Sequence, residues 1–162
     1  MHHSGHTHTL WLSDEAATGR LGAILAPRIE PGMHIFLRGG LGAGKTTLVR
    51  GLLHALGHEG RVKSPSYALV EPYTISRLYL YHFDFYRFRD PNEWNDSGFR
   101  ELFASQAVCL VEWPERADGL LPEPDLDIHL AMQEQGRQAV LVAHSISGEQ
   151  CVSALKSPEG FS

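Results

Sequence analysis

Hydrophobic residues recur at helical spacing in two segments of the chain. The first segment follows the helix-start signal Ser13-Asp14-Glu15, and its apolar residues share one face up to Pro27. The second segment covers residues 45–56, with leucines on one face, and stops at Gly57. We therefore expect one helix near the N-terminus and a second helix over residues 45–56.

Short apolar runs bounded by turn residues predict strands. "HIFLR", residues 34–38, follows the turn signal Pro31-Gly32 and precedes a glycine-rich stretch. "YALVEPY" and "LYLYHFDFY" are rich in residues that favour strands, and the linker at residues 74–77 is short enough for a hairpin. These patterns predict one strand before the glycines and a hairpin after the second helix.

The second half of the chain continues with strand patterns. "AVCLVEW" is a compact apolar run of the kind found in strands that are buried on both faces. "LDIHLAMQEQGRQAVLVAHS" contains two runs around residues 134–137, which predicts an antiparallel hairpin. The segment "RDPNEWNDSG" has the composition of a loop, and residues 99–105 are predicted to form a short helix.

Composition and charge narrow the class of protein. The 162 residues suit one domain, and the formal net charge of −5 argues against a protein that binds nucleic acid by itself. No apolar run approaches the roughly 20 residues of a membrane span, and the N-terminus lacks a signal-peptide pattern, so we expect a cytoplasmic protein. We predict a disordered His-rich tail over residues 1–9, a domain over 10–145 and a flexible C-terminal tail over 146–162.

The glycine-rich stretch matches G-x-x-x-x-G-K-[ST], the P-loop pattern, between a predicted strand and a predicted helix. In a P-loop the backbone N–H groups surround phosphate oxygens, the lysine approaches the outer phosphates and the first hydroxyl binds Mg²⁺. A glycine-rich turn that merely starts a helix is the alternative. The residues that we expect to contact a nucleotide here are Gly39, Leu41, Gly42, Ala43, Gly44, Lys45, Thr46 and Thr47.

Two acids end apolar strands and are candidates for the metal site. Asp84 ends "LYLYHF" and Glu112 ends "AVCLV". P-loop proteins commonly hold Mg²⁺ with an acid from a strand end as well as with the P-loop hydroxyl, here Thr46. Each acid could instead simply mark a strand that leaves the core. We expect Asp84 and Glu112 to contact the metal or the attacking water.

The segment "VKSPSYALVEPY" lies between the P-loop helix and the Asp84 strand, where P-loop proteins often place a switch. Ser64 or Ser66 could sense the γ-phosphate there. The alternative is an ordinary capped turn before Pro65.

Together, the P-loop, "SPSYALVEPY", "YHFDFYR" and "VEWPER" resemble the TsaE (YjeE) family over roughly residues 10–145. This is the family of small bacterial P-loop ATPases needed for threonylcarbamoyladenosine modification of tRNA. The resemblance implies an α/β, three-layer P-loop NTPase-like fold with a central mixed β-sheet flanked by helices. It also implies ATP and Mg²⁺ as cofactors, and TsaB and TsaD as partners through which tRNA is reached.

The same resemblance assigns roles to individual positions. Lys45 and Thr46 would hold phosphate and metal, Asp84 would be the Walker-B-like acid, Glu112 would bind metal or water, and Trp113 would lie next to the site. Ser66 would occupy the switch. Two positions depart from the family pattern: Gly40 stands where an acid is common, and Ser66 stands in place of threonine.

A small-molecule or nucleotide kinase is the main alternative function, because a P-loop with a nearby acid also suits phosphoryl transfer to a hydroxyl. Such a kinase usually needs an arginine-bearing lid, for which only Arg87 and Arg89 are candidates. The guanine motif N-K-x-D and the ABC-type signature LSGGQ are both absent from the sequence. We therefore expect a P-loop ATPase with slow, partner-dependent hydrolysis.

Overall fold

A computed structural model describes residues 7–65 and 67–156 of the chain. These residues form seven strands and five helices, with short 3₁₀ turns at Ala26–Arg28 and Pro114–Ala117. In chain order the elements are β1 (Thr7–Leu12), α1 (Glu15–Leu25), β2 (His34–Arg38), α2 (Lys45–Leu56), β3 (Val70–Ile75), β4 (Leu78–Asp84), α3 (Pro91–Ser97), α4 (Phe99–Ala104), β5 (Val108–Glu112), β6 (Leu126–Gln133), β7 (Gly136–Ala143) and α5 (Ile146–Leu155).

The strands form one mixed sheet in the order β1-β7-β6-β2-β5-β4-β3. Strands β6, β2, β5 and β4 run parallel, whereas β1, β7 and β3 pair antiparallel with their neighbours. The carboxyl ends of β2, β5 and β4 therefore meet at one edge of the sheet, where ligands of open α/β sheets commonly bind.

Each face of the sheet is covered by helices, which gives three layers. Aliphatic residues of α1, α2 and α5 pack on one face. The other face is aromatic, because Trp94, Phe99 and Phe103 of α3 and α4 pack against Phe83 and Phe85. The α/β fold with a mixed sheet flanked by helices is confirmed.

Most of the predicted elements are confirmed, including the strand His34–Arg38 and the helix Lys45–Leu56 at their predicted bounds. The predicted hairpins are β3–β4 and β6–β7, and β5 is buried along its whole length. The loop predicted for "RDPNEWNDSG" is wrong, because Pro91–Ser97 is helical. Asp90 and Glu93 form a capping box there that satisfies the first N–H groups of α3.

Both predicted tails are corrected by the structure. Residues 7–9 belong to β1, which pairs with β7 through main-chain hydrogen bonds. Residues 146–155 form α5, which is capped by Ser145 and buries Cys151, Val152 and Leu155 against the sheet. The domain therefore extends at both ends beyond 10–145, while residues 1–6 and 157–162 lie outside the described part.

Candidate functional site

The P-loop connects the carboxyl end of β2 to the first turn of α2. Gly39 and Gly44 have φ angles of 145° and 110°, which favour glycine. A Cβ atom on Gly39 would also lie 2.5 Å from the carbonyl oxygen of Leu130. Gly44 has no side chain to cap α2, so the first N–H groups of this helix have no side-chain acceptor at the N-cap. A phosphate group fits such a helix start, where the helix dipole is positive.

Lys45 is the first residue of α2, and only 5% of it is exposed. Its Nζ donates hydrogen bonds to the carbonyl oxygens of Gly39 and Gly40. Burial lowers the pKa of Lys45, and the nearby carboxylates, of which Glu112 has the largest effect, oppose this shift. The ammonium group is therefore held over the loop that would carry the phosphates.

Glu112 connects the P-loop helix to the end of β5. Its Oε2 accepts a hydrogen bond of 2.9 Å from the Thr46 hydroxyl and one of 2.6 Å from His82 Nε2. His82 and Glu112 are both buried. The Glu112 side chain is thus fixed from two sides, with one of its contacts to the hydroxyl that P-loops use for Mg²⁺.

Asp84 lies beside Glu112, since the two residues are register partners at the ends of the parallel strands β4 and β5. Its Oδ2 accepts a hydrogen bond of 2.5 Å from the Ser64 hydroxyl, and its Oδ1 accepts one of 3.0 Å from the Tyr86 N–H. Of the two switch candidates, Ser64 contacts this acid, whereas Ser66 lies outside the described residues.

Trp113 follows Glu112 and has the left-handed conformation, with φ of 57°. Such a backbone is uncommon for a bulky residue and is concentrated at functional sites. The indole lies 4.0 Å from Lys45 Nζ and 4.9 Å, between ring centroids, from Tyr86. Trp113 therefore forms a wall beside the P-loop lysine.

These side chains surround a cavity of about 550 Å³, a size within the roughly 300–1,000 Å³ of typical ligand pockets. Most residues predicted for the site line it: Leu41, Gly42, Ala43, Gly44, Lys45, Thr46, Thr47, Asp84, Glu112 and Trp113. The lining also includes Glu15, Ser64, Tyr86, Arg87 and Arg137. Gly39 contributes through its carbonyl contact with Lys45.

The oxygen donors at the cavity suit Mg²⁺ bound jointly by protein and phosphate. Magnesium prefers oxygen ligands and is usually held by one or two carboxylates plus phosphate groups. Thr46 and Glu112, already in contact, and the neighbouring Asp84 provide this set. Across residues 7–65 and 67–156, no group of three or more His, Cys, Asp and Glu side chains could hold a metal. The donor set therefore fits a metal that takes its remaining ligands from a bound molecule or water.

One of the two positions that depart from the family pattern, Gly40, and both candidate arginines lie in the described part of the chain. A Cβ atom on Gly40 would meet no atom within 4 Å, so the backbone there has room for a side chain. Arg87 lines the cavity and lies 4.8 Å from the centroid of the Tyr67 ring, while Arg89 is exposed.

Two residues of the site were not predicted from the sequence. His82 contacts Glu112, and Arg137 lines the cavity. Both are marked by strand alternation: His82 shares a face with Leu80 and Asp84 on β4, and Arg137 shares one with Ala139 and Leu141 on β7. A polar residue at an inward-facing position is the signal that would have found them.

A family model described as "Threonylcarbamoyl adenosine biosynthesis protein TsaE" matches residues 12–140 of the chain. Among curated proteins, the chain is similar to the tRNA threonylcarbamoyladenosine biosynthesis protein TsaE of Haemophilus influenzae. The two are 40% identical over 154 residues, which are 92% of this chain and 98% of the relative. The protein of the same name from Treponema pallidum is 36% identical over 126 residues, covering 78% and 93% of the two chains.

A solved structure supports the same relationship. The crystal structure of Bacillus subtilis YdiB superposes with a TM-score of 0.75 at 28% sequence identity, over 92% of this chain and 93% of that one. No helix in the described part of the chain is both long and apolar enough to cross a membrane.

Proposed function

The chain belongs to the TsaE family, and on this premise we propose that it is a Mg²⁺-dependent ATP-binding protein and ATPase of tRNA threonylcarbamoyladenosine biosynthesis. It acts in the cytoplasm with TsaB and TsaD. The observation that carries the proposal is the hydrogen bond from the P-loop hydroxyl of Thr46 to Glu112, because it brings together the oxygen donors of a metal–nucleotide site.

The P-loop side chains and N–H groups hold the phosphates of ATP. The first N–H groups of α2 and the ammonium of Lys45 supply positive charge at the loop. The Thr47 hydroxyl follows directly along α2 and donates to an inner phosphate. The absence of N-K-x-D from the sequence favours ATP over GTP.

Thr46, Glu112 and Asp84 hold Mg²⁺ and orient the attacking water. The metal, when bound, neutralises negative charge on the outer phosphates. His82 keeps the Glu112 carboxylate directed at Thr46, and Ser64 and the Tyr86 N–H keep Asp84 directed at the same region. The two acids act mainly on hydrolysis, because a group that contacts metal or water stabilises the transition state more than the bound substrate.

Hydrolysis by the chain alone is slow. An arginine on the γ-phosphate can contribute roughly 10³- to 10⁵-fold in rate. Arg87 lines the cavity, but its guanidinium lies over the Tyr67 ring. It would have to leave this ring to reach the γ-phosphate. A partner that repositions Arg87, or that supplies its own cation, would accelerate turnover.

The net charge of −5 gives the chain little attraction for tRNA, so tRNA is reached through the complex. Ser64 contacts Asp84 at the cavity and belongs to the segment that would report the γ-phosphate to TsaB and TsaD. Association with these proteins should therefore depend on which nucleotide is bound.

Calorimetric titration of the chain into TsaB and TsaD, with Mg·ATP or Mg·ADP present, tests this proposal. We expect tighter association with ATP, measured within the first minutes so that hydrolysis does not deplete it. Equal affinity for TsaB and TsaD with both nucleotides would contradict a nucleotide-dependent switch. Mass-spectrometric detection of a phosphorylated small molecule, after incubation with candidate acceptors, would instead favour a kinase.

A further inference from the structure

Arg137 is a buried residue that lines the cavity, and two of its guanidinium nitrogens have no hydrogen-bond partner within the described part of the chain. Only 7% of the residue is exposed, and it lines the cavity described above. Its Nε and Nη1 are buried and make no hydrogen bond with any residue of the described part. The guanidinium remains protonated under all physiological conditions, so this is a buried positive charge.

The backbone of β7 places this charge where an apolar residue would be expected. Side chains alternate along the strand, and the positions that follow Arg137 on its face, Ala139, Leu141 and Ala143, are all in the aliphatic core. A buried charge without a partner is costly, and natural proteins rarely retain one unless it binds something. Its position at the end of this row brings it to the P-loop.

Arg137 lies on the side of the P-loop opposite to the acids. In the sheet, β7 is two strands from β2 in one direction, while β5 and β4, which carry Glu112 and Asp84, lie in the other direction. A Cβ atom built on Gly44 would stand 3.2 Å from the Thr18 methyl group and 3.9 Å from Arg137 Nε. The guanidinium therefore packs against the last glycine of the loop, which Thr18 of α1 also approaches.

The two P-loop threonines show which phosphate this side would meet. The Thr46 hydroxyl bonds to Glu112 on the acid side, whereas the Thr47 hydroxyl bonds to Glu15 of α1 at 3.3 Å. Thr46 is the hydroxyl for Mg²⁺ at the outer phosphates. The Thr47 hydroxyl, proposed above to meet an inner phosphate, points the other way, toward α1. On that assignment, the side that holds Arg137 is the inner-phosphate side.

We propose that Arg137 binds the α-phosphate of the nucleotide through the N–H groups of Nε and Nη1, which make no hydrogen bond to any described residue. This inference rests on the proposed nucleotide-binding function. Guanidinium groups match phosphate oxygens geometrically and form strong charge-assisted hydrogen bonds with them. Arg137 is thus a binding residue for a group that ATP and ADP share, and it does not supply the missing charge on the γ-phosphate.

The test is the affinity of Arg137→Met and Arg137→Gln for ATP and for ADP, measured by calorimetry in the presence of Mg²⁺. A hydrogen-bonded charge on the α-phosphate predicts that both dissociation constants rise by the same factor, roughly 10- to 100-fold. Arg20→Met, which removes an exposed arginine of α1, is the matched control and should bind both nucleotides like the unmodified chain.

Thermal unfolding without nucleotide provides a second readout. Because Nε and Nη1 have no partner among the described residues, removal of the charge should leave the midpoint unchanged or raise it. Added ADP should then raise the midpoint less in the two variants than in the unmodified chain.

The outcomes separate this inference from the proposed function. If the unmodified chain binds nucleotide and both variants bind it with the same affinity, the role of Arg137 is wrong and the proposed function still stands. A loss at least tenfold larger for ATP than for ADP would place the contact at the γ-phosphate and overturn it too. Failure of both variants to fold would show that the guanidinium is structural. No nucleotide binding by the unmodified chain would overturn both proposals.

Discussion

The hydroxyl of Thr46 donates a hydrogen bond of 2.9 Å to the carboxylate of Glu112, sixty-six positions further along the chain. This contact joins the first turn of α2 to the end of β5, the strand next to the P-loop strand β2. It therefore unites two motifs that are separate in the sequence. The predictions below concern this contact, the groups that orient it, and the stability of the fold around it.

Replacing Lys45 with alanine should weaken ATP binding without unfolding the protein. Among the described residues, the ammonium donates hydrogen bonds to the P-loop carbonyls of Gly39 and Gly40 and contacts the Trp113 ring beside the cavity, so little of the core depends on it. Because the variant lacks a positive charge that contacts phosphate, we expect its dissociation constant for ATP to rise roughly 10- to 100-fold. Titration of a fluorescent ATP analogue measures it, with Lys156→Ala, an exposed lysine after α5, as the control. Undiminished affinity in Lys45→Ala would contradict the P-loop interpretation.

The variants Glu112→Gln and Asp84→Asn should reduce Mg²⁺-dependent hydrolysis more than nucleotide binding. Glu112→Gln should also raise the Mg²⁺ concentration needed for half-maximal rate, by roughly tenfold or more, because Glu112 is the acid that contacts Thr46. Phosphate release across a Mg²⁺ titration gives both quantities. Asp96→Asn, at an exposed position of α3, is the control. If both site variants hydrolyse ATP like the unmodified chain, the acids only end their strands.

Replacing His82 with leucine should weaken Mg²⁺ binding, although His82 does not face the cavity. Its Nε2 holds Glu112 Oε2 at 2.6 Å, and residues that orient a metal ligand contribute roughly 10- to 100-fold in metal affinity or activity. ATP affinity without Mg²⁺ should stay constant. His82→Gln retains a side-chain donor and should recover part of the loss. An equal loss of nucleotide affinity with and without Mg²⁺ would instead indicate that His82 is purely structural.

The stability of the protein should fall as the pH falls below the usual pKa of histidine, in part because of His34. Burial lowers the pKa of His34 from 6.5, although the Asp125 carboxylate partly opposes this shift. Below pH 6.5 the unfolded chain takes up the proton first, so this contribution to stability is complete above pH 6.5 and is lost as the pH approaches the lowered pKa.

Urea unfolding of His34→Asn across this pH range checks the contribution of His34. The variant should show a shallower dependence of the free energy of unfolding on pH than the unmodified chain. Identical slopes for His34→Asn and the unmodified chain would show that His34 does not titrate differently in the two states.

The parts of the fold that follow from local signals could be predicted from the sequence. The P-loop is specified by consecutive glycines, Lys45 and a helix that stops at Gly57, so its strand and helix were predicted at their correct bounds. Asp84 and Glu112 could be found because each ends an apolar strand. The sequence could not show that these two acids are register partners. Their proximity depends on the parallel pairing of β4 with β5, and no short segment of sequence determines that pairing.

The missed elements lack a local hydrophobic pattern. Strand β1 buries only Leu12 and depends on main-chain pairing with β7, so its His and Thr side chains suggested a tail. Helix α3 begins with Asp90-Pro91 and has Glu93 at the capping-box position, a start signal that its loop-like composition concealed. Arg137 was assigned to a hairpin turn, whereas the strand begins at Gly136 and directs it inward.

The central claim is that the chain hydrolyses Mg·ATP at the P-loop and does so effectively only with its partners. Phosphate release should be measured for the isolated chain, for the chain with TsaB and TsaD, and for Lys45→Ala with the same partners. We predict slow release by the isolated chain, clear stimulation by TsaB and TsaD, and no stimulated release by Lys45→Ala. Fast release by the isolated chain, or none above background with the partners present, would contradict the account.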